Sequence, residues 1–287
     1  MKKVLITGGT GMLGASLISH LRRAGFQTVV QGYKQKANIN IDMTDKKQAI
    51  EALKDLNPDV IINLICLSDV EENEKNKELA YSLNVKPVEN ITHWIQDKKP
   101  KVQFIHVSTD HLYDGDGLNT EDSINIRNQY ASLKYDSEQI ASKVDSLILR
   151  TNFFGKSKIK ERHSFTDWID ISTKERRFPI NLFEDVYFSP LSLNTLSNMI
   201  CHVLEYDISG IFNLGSRDGL SKADFAYSYS NFLNENRENT KLISVDDLNF
   251  LASRPKGMMM DVSKFESTFD IKLPTLLSEI ELYKREN

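Results

Sequence analysis

The sequence predicts an α/β fold: a doubly wound parallel sheet, followed by a smaller C-terminal α/β region. Two observations carry that expectation. Apolar runs alternate with amphipathic helical patterns through the first half of the chain, and strands separated by helices need crossovers that leave them parallel. The first apolar run, Val4 to Ile6, leads straight into Thr7-Gly8-Gly9-Thr10-Gly11-Met12-Leu13-Gly14, and an amphipathic segment from Ala15 to Ala24 follows. Strand, glycine turn and helix in that order suit a phosphate-bearing ligand at the helix start.

The glycine turn admits two spacings. Gly9, Gly11 and Gly14 fit G-x-G-x-x-G, the dinucleotide fingerprint, and Gly8, Gly11 and Gly14 fit a wider one. One glycine takes a turn closed to side chains, one lets the backbone approach a pyrophosphate, and the last lets helix pack on strand. A Rossmann-type nucleotide-binding sheet is the expectation, against the plainer reading of a glycine turn that binds nothing.

Further apolar runs fall at Thr28 to Val30, Val60 to Ile65, Val102 to Val107 and Ser146 to Leu149, with helical patterns at Lys46 to Leu56, Asn76 to Gln96 and Gln129 to Lys143. Asn57-Pro58-Asp59 ends one helix before the next strand. The charged and amide run Glu71 to Glu78 reads as a solvated helix face or loop. After Arg150 the pattern loosens. Lys156 to Arg162 reads as a basic loop, with helices expected at Phe165 to Lys174, Leu193 to Glu205, Lys222 to Leu233, Val245 to Ala252 and Leu276 to Lys284, and a strand at Ile211 to Leu214. We therefore expect a nucleotide-binding domain over 1–152, rejoined by a segment near 190–214, and a substrate-binding region over 153–287.

The 287 residues carry a net charge of −4 with no large block of one sign. That argues against nucleic acid or an anionic membrane as the main partner. Cys66 and Cys201 lie in apolar runs and offer neither a disulfide framework nor metal spacing. They read as core cysteines of a reducing compartment. No signal peptide or spanning segment appears at Met1-Lys2-Lys3 or beyond, so a cytoplasmic protein is expected.

In an open parallel sheet, ligands bind outside the carboxyl ends of the strands. The second run ends in Gln31-Gly32-Tyr33-Lys34, without the carboxylate that would hold the ribose hydroxyls of NAD. Lys34 either faces a 2′-phosphate or is simply solvated; the first reading tilts the cofactor toward NADPH, with NADH second. Asp42-Met43 either meets an adenine edge or caps the next helix, a service that Thr44 and Asp45 also offer. The fourth run ends His106-Val107-Ser108-Thr109-Asp110-His111, and Tyr130 and Lys134 then share one face of a helix. A lysine cation about 4 Å from a phenol favours the phenolate by about 4 kcal/mol at an effective dielectric near 20. That brings a group of pKa ~10 down to near 7, where general acid–base catalysis works. Thr109 adds a hydroxyl to orient a substrate oxygen.

Together these residues resemble the extended short-chain dehydrogenase/reductase superfamily, and more closely the dTDP-4-dehydrorhamnose reductases and related sugar-nucleotide reductases. The resemblance spans nearly the whole chain, from Thr7–Gly14 through Pro58–Asn63, Ser108-Thr109-Asp110 and Tyr130/Lys134 to Arg150-Thr151-Asn152, Ser189-Pro190, Gly210–Leu214 and Arg254-Pro255-Lys256. It implies Thr109, Tyr130 and Lys134 as the catalytic set. It implies that Gly8, Gly11, Met12, Leu13, Asp42, Met43, Asn63 and Lys134 line the cofactor, beside Thr10 and Gly14 of the same turn. Asp110, Asn152, Phe153, Ser189 and Arg254 lie near a nucleotide-sugar substrate on this reading, and a homodimer is common among such proteins. No metal is expected. The implied reaction is reduction of the 4-keto group of a nucleotide-linked 6-deoxy sugar. His111 stands where related dehydratases carry a glutamate, which favours reduction over loss of water. Two other readings share the fold: an epimerase that returns the hydride, and a non-catalytic nucleotide-binding subunit acting through a partner enzyme. Leu64-Ile65-Cys66-Leu67-Ser68, where the resemblance leads one to expect alanines and an aromatic–threonine pair, motivates the last.

Overall fold

The computed structural model describes residues 1–98, 101–159 and 162–286. Seven strands form the central sheet: β1 (Lys3–Thr7), β2 (Gln27–Gly32), β3 (Ile39–Asn40), β4 (Val60–Asn63), β5 (Gln103–Thr109), β6 (Ser146–Thr151) and β7 (Gly210–Leu214). Their spatial order is β7-β6-β5-β4-β1-β2-β3. The pairs β1/β2, β1/β4, β4/β5 and β2/β3 are all parallel. The strand order turns back between β1 and β4, the place where open α/β sheets bind ligands.

The helices of the first half are α1 (Met12–Arg23), α2 (Lys46–Leu56), α3 (Val70–Lys75), α4 (Lys77–Asn84), α5 (Lys86–Lys98) and α6 (Gln129–Ala141). Leu5, Ile61, Phe104 and Ile148 from the sheet join Leu53 of α2 and Ile91 and Trp94 of α5 in one buried layer. Asp45, not Asp42, caps α2, accepting from the Gln48 N–H at 3.0 Å. The helical pattern Asn76 to Gln96 divides at Val85. Pro87 has no N–H to continue the ladder of α4 but suits the first turn of α5.

The charged run Glu71 to Glu78 is not a wholly solvated face. Asn73 is fully buried inside it, donating to the carbonyls of Leu67 at 2.8 Å and Asp69 at 2.7 Å and accepting from Asn84 at 2.8 Å. A buried amide is tolerated when its hydrogen bonds are made.

The chain forms two compact units. The first holds Met1–Thr109, Asn128–Arg150 and Ser197–Phe212, and the second holds Asp110–Arg127, Thr151–Leu196 and Asn213–Asn287. The stretch 110–127 therefore leaves the 1–152 segment for the second unit. Asn119 fixes it there through the carbonyls of Gly257 at 3.0 Å and Met259 at 2.8 Å. The second unit has its own core, with Phe154, Phe188, Phe225, Leu276 and Tyr283 inside. The helix expected over Val245 to Ala252 is only a 3-10 turn, Val245–Asp247. Leu248, Phe250 and Leu251 are exposed there, so no apolar stripe is available to bury a longer helix. Of the basic loop Lys156 to Arg162, residues 160 and 161 lie outside the described ones. Both cysteines are half-buried rather than core residues. Among the described residues, no helix is long and apolar enough to cross a membrane.

Candidate active site

The glycine turn is built around Gly8. Its φ is +67°, and a methyl group there would stand 2.8 Å from the Ile65 nitrogen; only glycine takes that conformation in that space without strain. At Gly14 a Cβ would lie 2.3 Å from the Gly9 carbonyl oxygen, so α1 rests directly on the turn. Gln31, at the end of β2, holds the turn open: its side chain accepts from Gly8 N–H at 2.8 Å and its carbonyl from Gly9 N–H at 3.1 Å. Gly11 caps α1 with no side chain, leaving the first-turn amides without a side-chain acceptor. Such a bare, positive helix start fits a pyrophosphate.

The expected cofactor residues divide in the structure. Thr10 and Met12 are half-buried beside Gly11, and Lys34 is exposed just beyond β2. Leu13 and Met43 have buried side chains, 6% and 2% exposed. Asp42 accepts from the Thr44 N–H and hydroxyl at 2.9 and 2.7 Å, an Asx-type turn rather than a helix cap. Asn63 is fully buried and commits its amide to neighbours: Oδ1 accepts from Thr7 at 2.6 Å, and Nδ2 reaches His106 Nδ1 at 3.1 Å. It braces the strand ends rather than pointing a free amide outward.

The proposed catalytic groups cluster at the end of β5 and on α6. Asn128 caps α6, accepting from Ala131 N–H at 2.9 Å. Tyr130, Lys134 and Glu138 then recur every four residues along its buried face. Lys134 is 2% exposed, and its ammonium donates to the Val107 carbonyl at 2.8 Å. Burial pushes the Lys134 pKa down, while Cys66 and Glu138 push it back up. Cys66 Sγ lies 3.8 Å from the Tyr130 hydroxyl. Thr109 closes β5 at 4% exposure, and the neighbouring Ser108 Oγ is buried without a hydrogen-bond partner. The turn, the buried cation one helical turn from a phenol and this orphaned hydroxyl fit a dinucleotide.

The second unit carries the expected substrate residues. Asp110 accepts from Asn152 Nδ2 at 2.6 Å, and Asn152 Oδ1 accepts from Phe153 N–H at 2.8 Å. Arg254 lies over the Phe250 ring at 4.7 Å. His111 is held neutral: burial, with the cations of Lys222 and Arg254, pushes its pKa down to about 3. Ser189 serves the interior of this unit. It is fully buried, and its hydroxyl accepts from Met260 N–H at 3.0 Å, tying two segments of the unit together.

The sequence pattern that defines the RmlD substrate binding domain matches residues 1–286. The chain belongs to that family. Among curated relatives, the probable low-salt glycan biosynthesis reductase Agl14 of Haloferax volcanii is 26% identical over 287 residues, covering 96% of this chain and 95% of that protein. The dTDP-4-dehydrorhamnose reductase of Salmonella typhimurium is 25% identical over 289 residues, covering 94% and 93%. Among solved structures, the dTDP-4-dehydrorhamnose reductase of Bacillus anthracis in complex with NADP superposes with a TM-score of 0.86 at 22% identity, covering 100% of this chain and 99% of that one. That likeness shows the fold: a Rossmann-like α/β sheet flanked by helices.

Several residues around the site in this RmlD-family chain escape a reading by motif. Arg150 and Glu138 form a fully buried ion pair, with Nε at 3.0 Å from Oε1 and a terminal nitrogen at 2.6 Å from Oε2. It locks α6 to β6, and the only trace in sequence is an arginine inside an apolar strand. In the sequence Gln31 shows only the lack of a carboxylate, and His106 only a place near a strand end. Lys222 lies over Phe165 and Phe188, 4.7 and 4.5 Å from the ring centres; a lysine opening a helix gives no such signal.

Proposed function

We propose that this chain is an NADPH-dependent reductase acting in the cytoplasm on the 4-keto group of a nucleotide-linked 6-deoxy sugar. One observation carries the reading: Tyr130 and Lys134 are buried one turn apart on α6, with the Lys134 ammonium pinned to the carboxyl end of β5. The names of the relatives support the substrate class.

The turn Gly8–Gly14 and the start of α1 would hold the dinucleotide, with Lys34 positioned to meet a 2′-phosphate. When bound, the reduced nicotinamide supplies the hydride. Thr109 orients the substrate carbonyl oxygen, and Tyr130 delivers its hydroxyl proton to that oxygen as the carbonyl carbon is reduced. Lys134 stabilises the resulting phenolate electrostatically until solvent returns the proton. Asp110, Asn152 and Arg254 offer the sugar nucleotide an acceptor, an amide and a cation. A neutral His111 supplies no second carboxyl for dehydration.

The test is consumption of NADPH with a dTDP-linked 4-keto-6-deoxy sugar. Steady loss of reduced-nicotinamide absorbance is expected, falling at least ~100-fold in Tyr130→Phe while NADPH still binds. Turnover without net consumption indicates the epimerase. No turnover across a panel of keto-sugar nucleotides, with an unrelated enzyme co-purifying, indicates the binding subunit.

A further inference from the structure

Behind Lys134 a row of buried polar side chains crosses the sheet. Thr7 on β1, Asn63 on β4 and His106 on β5 are register partners on adjacent strands. Their side chains form one hydrogen-bonded line that ends on α6. Thr7 Oγ1 donates to Asn63 Oδ1 at 2.6 Å, Asn63 Nδ2 meets His106 Nδ1 at 3.1 Å, and His106 Nε2 meets Ser137 Oγ at 2.9 Å. Ser137 Oγ donates to the Lys134 carbonyl at 2.7 Å. Thr7, Asn63, His106 and Ser137 are all fully buried.

The Ile65 amide assigns this line its direction. Ile65 N–H also points at Asn63 Oδ1, at 3.4 Å. A backbone N–H is only a donor, so that end of the amide is the oxygen and the other end is the NH₂ group. Asn63 therefore donates to His106 Nδ1, which must carry the lone pair. The ring proton sits on Nε2 and is donated to Ser137. The Lys134 ammonium lies 3.5 Å from the same Nε2, two donors side by side, and turns to the Val107 carbonyl instead. A second proton on His106 would face the Asn63 NH₂ group and bring two cations together in the interior. Burial and the Lys134 charge accordingly hold the imidazole well below its ordinary pKa.

We propose that Thr7, Asn63, His106 and Ser137 act as a positioning chain for Lys134. His106, locked as the neutral Nε2–H tautomer, directs the ammonium to the Val107 carbonyl and, through Ser137, fixes the helical turn that carries it. The consequence falls on Tyr130, one turn away, whose acidity depends on where that cation stands. This role rests on Tyr130 acting as the acid, but the chain can be tested without cofactor or substrate.

In the cofactor-free protein, histidine ¹⁵N resonances assigned with His106→Gln should show the Nε2–H tautomer, with no titration between about pH 6 and about pH 9. Tyrosine ¹³Cζ resonances, assigned with Tyr130→Phe, report the titration of the phenol. His106→Leu should raise its midpoint by about one pH unit, since the cation relaxes away from the phenol. Ser137→Ala, a milder change that keeps the fold, should move it the same way by less. His106→Gln, which retains a donor for Ser137, should recover most of the shift. An Nδ1–H tautomer in the wild-type protein, or an unchanged Tyr130 midpoint in Ser137→Ala and in whichever His106 variants fold, overturns the proposal. A shifted phenol in a protein that reduces no keto sugar defeats the reductase reading and leaves the chain standing. An active enzyme with an unshifted phenol does the reverse.

Discussion

Replacing Glu138 by glutamine tests how α6 is held. The carboxylate and the Arg150 guanidinium are 0% and 1% exposed and paired along two edges. Glutamine keeps the shape and removes the charge, so the buried guanidinium loses the carboxylate that pairs with it. Breaking a buried pair on one side costs about 3–5 kcal/mol, mostly the desolvation of the abandoned charge. The double variant Glu138→Leu/Arg150→Met removes both charges at similar volume and should lie within about 2 kcal/mol of wild type. Urea denaturation followed by a probe in the first unit measures both, since two units need not unfold together. The charge also reaches the site: Glu138 supports the charged form of Lys134, so the alkaline limb of the activity profile should move to lower pH in Glu138→Gln. A cost below about 1 kcal/mol for Glu138→Gln, or a double variant as unstable as the sum of the singles, would refute the reasoning.

Gly8→Ala should lose NADPH binding in a fluorescence titration and destabilise the fold by at least about 1–2 kcal/mol, because its φ of +67° and its approach to Ile65 both exclude a Cβ. Ser189→Ala should cost about 1–3 kcal/mol in urea with the sugar-nucleotide KM unchanged; a raised KM at full stability would return Ser189 to the substrate site. Acid lability follows from the histidines. His106 and His111 are held below their ordinary pKa in the fold and take up protons freely only when unfolded. Their contribution is complete above about pH 6.5 and is lost as pH falls toward the folded value, at up to about 1.4 kcal/mol per pH unit for each. His111→Gln should therefore lose less stability than wild type between pH 7 and pH 5, read from urea midpoints; equal losses would contradict a depressed His111.

Much of the candidate site is local and so is legible along the chain. The strand–turn–helix around Gly8 to Gly14 and the pairing of Tyr130 with Lys134 depend on spacings of a few residues. Burial decides other side chains' surroundings, and no local pattern records it. Asn63 and Ser189 are the residue types a ligand site uses, yet both serve interior bonds, to Thr7 and His106 in one case and to Met260 in the other. Met43, expected with Asp42 near the adenine, packs its side chain in the core. Glu71 to Glu78 looks solvated by composition, but the amide of Asn73 finds three partners inside.

The alternation of strands and helices through the first half, β3 apart, and the glycine turn between the first strand and first helix came from the sequence alone, because periodicity and backbone freedom act over neighbouring residues. The division into interleaved units, the Arg150–Glu138 pair and the row from Thr7 to Ser137 arose only on folding. Thr7 and Asn63 stand 56 positions apart, and Asn63 and His106 stand 43 apart. Only the parallel register of three strands brings them side by side, and no local pattern in a chain records which distant polar groups will satisfy one another once water has been removed.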